Sequence, residues 1–101
     1  MRVWLDDIRP MPKGYDTWCK TYESAIECLT HSVVSHIAFD HDLGKGKTGY
    51  DVSRFIEELA YLNLIKPMTW SIHTNNPVGR KYIEMAMRNA DRYWERNKNR
   101  T

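Results

Sequence analysis

Three polar clusters stand where apolar runs stop. Asp6-Asp7 follows Val3-Trp4-Leu5, Asp40-His41-Asp42 follows Ile37-Ala38-Phe39, and His73-Thr74-Asn75-Asn76 follows Trp70-Ser71-Ile72. Adjacent carboxylates repel one another unless a cation or an added proton relieves them. Asp6, Asp7, Asp40 and Asp42 also offer the hard oxygen ligands that Mg²⁺ or Mn²⁺ prefers, so they are candidate ligands of a divalent cation. The plainer alternative is that Asp6 or Asp42 caps a loop and faces water. His41 and His73 sit at the same points as these acids, each just after an apolar run. Two imidazoles flanking a phosphorus could serve as general base and general acid in phosphodiester cleavage. His31 and His36 fall at a helix end and a strand start, away from the clusters, and read as structural.

The stretch Asn75-Asn76-Pro77-Val78-Gly79-Arg80 has the makings of a helix amino terminus, with free N–H groups, a small residue and a guanidinium. Helix amino termini bind anions, and arginine adds bidentate phosphate recognition. Thr74, Asn75, Asn76 and Arg80 are therefore candidate substrate contacts, against the simpler reading of an ordinary capped helix. Thr48-Gly49 offers a weaker second contact of the same kind. Gly44-Lys45-Gly46-Lys47 lacks the GxxxxGK[ST] spacing of a nucleoside-triphosphate loop, and that reading is rejected.

For the clusters to meet, the apolar runs before them must be strands of one parallel sheet. Arg2–Leu5 and His36–Phe39 suit buried strands, and Met68–Ile72 follows the break at Pro67. Thr17, Trp18, Cys19 and Tyr22 suggest a short edge strand within 15–22. Thr21 caps a helix with Ala25, Ile26 and Leu29 on one face. Thr48 opens a second, with Asp51 in a capping-box position and Val52, Phe55, Ile56, Leu59 and Leu62 or Leu64 as its apolar face. Asn76 and Pro77 start a third, lined by Ile83, Met87, Ala90 and Trp94. Residues 97–101 look frayed. Right-handed crossovers then predict four strands in the order 2-1-3-4 with helices on both faces, a three-layer α/β domain. In open sheets of this kind ligands bind at the carboxyl ends of the strands.

A chain of 101 residues is one domain, residues 1–101. A net charge of +2 is no argument for nucleic-acid binding. The basic tail from Arg80 onward reads as a solvated face. No apolar stretch approaches the roughly 20 residues that span a bilayer, so no membrane role is expected. Cys19 and Cys28 form no CxxC, and the first strand begins almost at once, leaving no room for a leader. A reducing cytoplasm, that of a host cell if the protein is phage-encoded, is the expected location.

The segments Leu5-Asp6-Asp7, Phe39-Asp40 and Thr48-Gly49-Tyr50-Asp51 resemble the receiver domain of two-component signalling, a flavodoxin-like fold. That resemblance implies Mg²⁺ at Asp6, Asp7 and Asp40, with Asp40 at the phosphoacceptor position and Asp42 where a receiver offers a backbone carbonyl. One strand–helix unit is missing, the fifth-strand lysine has no counterpart, and His73-Thr74 replaces a lone Ser or Thr. The fuller set Asp6-Asp7-Ile8-Arg9-Pro10, Phe39-Asp40-His41-Asp42-Leu43-Gly44, Thr48-Gly49-Tyr50-Asp51 and His73-Thr74-Asn75-Asn76-Pro77-Val78-Gly79 is similar to the cyclic-phosphate processing receiver-like family of small bacterial and phage proteins. The similarity runs from Arg2 to about Ala90.

It implies a hydrolase that processes a cyclic phosphate on an RNA end or a nucleotide. His41, His73 and Asp40 would be its catalytic residues. Two other readings stand beside it: a non-catalytic degenerate receiver that binds a partner or sequesters a nucleotide, and a true phosphoacceptor. The missing lysine speaks against the last.

Overall fold

A computed structural model describes residues 1–99. Four strands and three helices alternate as β1 (Arg2–Leu5), β2 (Thr17–Cys19), α1 (Tyr22–His31), β3 (His36–Phe39), α2 (Gly49–Tyr61), β4 (Thr69–Ile72) and α3 (Pro77–Asn97). All strands pair in parallel, in the order β2-β1-β3-β4, with Leu5, Phe39 and Ile72 side by side at their carboxyl ends. This is the expected receiver-like topology, short of a fifth strand among the described residues. No helix among them is long and apolar enough to cross a membrane.

Side chains alternate across a sheet, so this register defines two faces. Val3, Leu5, Cys19, Ile37 and Phe39 share one face and join a single core with Ala25 and Leu29 of α1, Val52 and Ile56 of α2, and Ile83 and Met87 of α3. The other face carries Arg2, Trp4, Trp18, His36, Ala38, Thr69 and Ser71, and none of these belongs to that core. The three helices therefore lie on one side, and the expected second helical layer is not formed. Chirality supplies the reason. The crossovers β2-α1-β3 and β3-α2-β4 step in the same direction across the sheet, so right-handedness sends both helices to one face. Only β1 to β2 steps the other way, and residues 6–16 make that connection without a helix.

Capping follows the sequence closely. The Thr21 hydroxyl accepts the Ser24 N–H to start α1, and Thr48 with Asp51 closes a reciprocal box at α2. Asn76 caps α3 by accepting the Gly79 N–H at 2.9 Å, with Pro77 in the first turn. The far end of α2 departs from expectation. The helix stops at Tyr61, Asn63 takes a left-handed φ of 57°, and Leu62 and Leu64 are 50% and 69% exposed. Ile65 packs against the core instead, and the Trp94 indole donates to its carbonyl. Fraying was expected from residue 97, but α3 continues through Asn97 and a turn follows at Lys98 and Asn99; Arg100 and Thr101 lie outside the described residues.

Candidate active site

Each of three strands adds one more rung beyond its end. Asp40 N–H donates to Leu5 O, His73 N–H to Phe39 O, and Asp6 N–H to Cys19 O. This ladder fixes Asp6, Asp40 and His73 as a row along the carboxyl edge of the sheet, where the sequence reading places its site.

Asp6 is 1% exposed, a position a carboxylate tolerates only when its oxygens are engaged. Oδ1 accepts the backbone N–H groups of Ile8 and Arg9, at 2.9 and 2.8 Å, which turns the chain sharply after β1. Oδ2 faces His73 Nε2 at 3.0 Å, with the Arg9 guanidinium 3.8 Å away. Asp40 Oδ1 accepts the His41 N–H at 2.8 Å. One oxygen from each of Asp6, Asp7 and Asp40 lies within 4.8 Å of the others. Asp42 is outside this group: its side chain is 68% exposed and pairs with His41 Nδ1 at 3.1 Å.

A carboxylate has about four acceptor positions. Asp40 Oδ2 and part of Asp6 Oδ2 therefore keep lone pairs beyond the hydrogen bonds above. The half-buried Asp7 adds its own oxygens to the same cluster. An all-oxygen set this close fits a small divalent cation. The Mg²⁺ or Mn²⁺ expected from the sequence is thus compatible with Asp6, Asp7 and Asp40, and not with the Asp42 side chain as placed.

The two histidines are built differently. His73 lies flat on Trp4, with ring centroids 3.8 Å apart and an interplanar angle of 4°. Its Nδ1 is buried with no partner, and Arg9 donates to its backbone carbonyl. Burial pushes its pKa below the ordinary value, and the hydrogen bond and charge of Asp6 only partly oppose this. His73 is therefore a neutral ring near pH 7, its proton on Nε2 toward Asp6. His41 turns Nδ1 to Asp42, with the Asn76 amide 3.4 Å away. A proton on Nδ1, donated to that carboxylate, leaves the Nε2 lone pair free.

Two glycines let the helices approach this edge. A Cβ on Gly49 would collide with the backbone carbonyl of Asp40, and one on Gly79 would run into the His41 ring. The remaining predicted contacts divide. Thr74 is buried, its hydroxyl accepting the Asn76 N–H at 3.2 Å, and Asn76 is occupied as the α3 cap. Asn75 and Arg80 are exposed, and Arg80 spends one donor on the Ile72 carbonyl at 3.1 Å. His36 and His31 stand apart as expected: His36 bonds Thr69 and Ser71, and His31 faces Glu27 on the α1 surface.

Trp4, Arg9 and Trp18 were not singled out from the sequence, yet all three brace the site. The indoles of Trp4 and Trp18 donate to the carbonyls of Arg9 and Asp6, at 2.9 and 2.6 Å. Only Arg9 carried a signal, through its place directly after Asp6-Asp7-Ile8.

No curated protein and no solved structure matches the chain. The family model of the cyclic-phosphate processing receiver domain matches residues 1–89. The chain belongs to that family.

Proposed function

We propose that this protein is a phosphodiesterase that opens a cyclic phosphate, on an RNA end or a nucleotide, by adding water to the phosphorus. The observation that carries the reading is the meeting of Asp6, Asp7 and Asp40 within 4.8 Å, in a chain of the cyclic-phosphate processing family. Asp7, Asp40 and the remaining lone pair of Asp6 would hold a divalent cation. When bound, such an ion supplies Lewis acidity against the phosphate charge and a template for the attacking water.

The chain's own residues supply the proton transfers. His41, oriented by Asp42, takes a proton from the water at Nε2 as the new P–O bond forms. The ring P–O bond breaks, and the imidazolium returns a proton to the departing oxygen, leaving a phosphomonoester and a free hydroxyl. His73 has one nitrogen turned to Asp6 and the other buried, so it acts as a positioning residue for Asp6 rather than on the substrate. Asn75 and Arg80 grip the phosphate oxygens, while Thr74 and Asn76 shape the loop that presents them.

Turnover of nucleoside 2′,3′-cyclic and 3′,5′-cyclic phosphates with Mg²⁺ or Mn²⁺ tests the reading. Product should exceed one equivalent, and His41→Ala should cut the rate about a hundred- to ten-thousand-fold. His73→Phe keeps the stack on Trp4 but loses the donor to Asp6. It should weaken cation dependence while the acidic limb of the pH–rate profile stays in place. Ligand depletion that stops at one equivalent would identify a sequestering module instead.

A further inference from the structure

The sheet face without helices carries a continuous run of aromatic rings that ends in the acidic row. His36 lies 5.9 Å from Tyr15, Tyr15 lies 5.3 Å edge-on to Trp4, and Trp4 stacks on His73 at 3.8 Å. Trp18 sits beside Trp4 in the neighbouring strand. Cations line the run: Arg2 is 5.0 Å above Tyr15, and Lys20 is 4.3 Å above Trp18. Both are exposed, and Tyr15 and Trp18 are only partly buried. The nearby acid, Asp16, is turned to the backbone N–H of Arg2 at 2.7 Å. Aromatic faces interleaved with exposed cations are what unpaired bases and their phosphates require: rings stack on the bases while the cations track the backbone. Duplex offers no free base faces.

We propose that the helix-free face binds the single-stranded RNA segment leading to the cyclic end, so that an RNA strand is preferred over a mononucleotide, which only the crevice holds. This rests on the reading of the acidic crevice as the cyclic-phosphate site. The continuity is physical, because His73 closes the ring run and donates to Asp6. With the terminal phosphate in the crevice, about two or three preceding bases lie over the face, the number other sheet-face readers of single strands take.

Two separate measurements test this. Fluorescence anisotropy uses a labelled ten-nucleotide RNA ending in a 3′-phosphate, with a mononucleoside 3′-phosphate as competitor. Turnover is followed on a mononucleoside 2′,3′-cyclic phosphate alone. The strand should bind at least about tenfold tighter than the mononucleotide, and more weakly as salt rises. Lys20→Glu on the exposed surface should remove most of that gain. Trp18→Leu should do the same, and Trp18→Phe should restore it. Equal affinity for strand and mononucleotide, a gain untouched by Lys20→Glu, or equally tight binding of duplex would each overturn the proposal. Strand binding without mononucleotide turnover would overturn the crevice chemistry and support the face; turnover without a strand advantage would do the reverse.

Discussion

At the scale of single residues, the crevice is held together by unequal use of its acids. Asp6 is spent largely on structure, while Asp7 and Asp40 keep oxygens for a ligand. Their mutual repulsion opposes folding when no cation is present. Asp7→Asn is therefore expected to raise the melting temperature in chelator, by ~4–8 °C for relief on the order of 1 kcal/mol. It should also blunt the upward shift that Mg²⁺ gives the parent, since a ligand stabilises only the state it binds. Thermal melts of both proteins with and without Mg²⁺ check this.

His36 gives a second residue-level expectation. Burial, aided by Arg2, lowers its pKa from the ordinary 6.5. Between that lowered value and 6.5 the unfolded chain binds more protons than the folded one, so stability climbs with pH across the window and levels off above it. His36→Gln should flatten that climb in melts recorded from pH 5 to 7. The identity of the acids and histidines was legible from their positions after apolar runs. Their division of labour was not, because which oxygen meets which donor depends on side chains brought together from positions 67 apart, as with His73 and Asp6.

At the scale of elements, α2 and α3 act through glycines at their amino ends. Replacing glycine by alanine in a helix ordinarily gains about 1 kcal/mol. Here the sign reverses. Gly49→Ala meets the Asp40 backbone, which cannot swing aside, and should cost about 1–3 kcal/mol. Gly79→Ala meets the His41 ring instead, so it should lose activity by displacing the imidazole while unfolding at a denaturant midpoint closer to the parent. Chemical denaturation and turnover, measured on both variants, separate the two effects. A parent-like Gly49→Ala midpoint would show that the helix end can retreat. Helix starts could be read in the sequence because capping is local chemistry, as at Thr48 with Asp51. The end of α2 was harder to place, since Leu62 and Leu64 continue the apolar pattern after Asn63 has turned the chain away.

At the scale of the whole molecule, strand order followed from hydrophobic runs and crossover handedness, but layer count did not. Pro10, Pro12 and Gly14 already mark the connection over residues 6–16 as the one without a helix, but cover on both faces was still expected, because layer count depends on the direction in which each helical crossover steps. The resulting asymmetry also sorts the four tryptophans. Trp4 and Trp18 lie on the helix-free face, tied by their indoles to the carbonyls of Arg9 and Asp6. Trp70 and Trp94 belong to the helical side, donating to Asp91 and Ile65. The protein thereby carries its own optical probe: one pair of fluorophores touches the acidic loop and the other is remote from it. Titration with Mg²⁺ should shift the intensity contributed by Trp4 and Trp18, and Trp4→Phe with Trp18→Phe should leave an emission spectrum that no longer responds. Light from the chain itself, without label or substrate, would then report whether the crevice is filled.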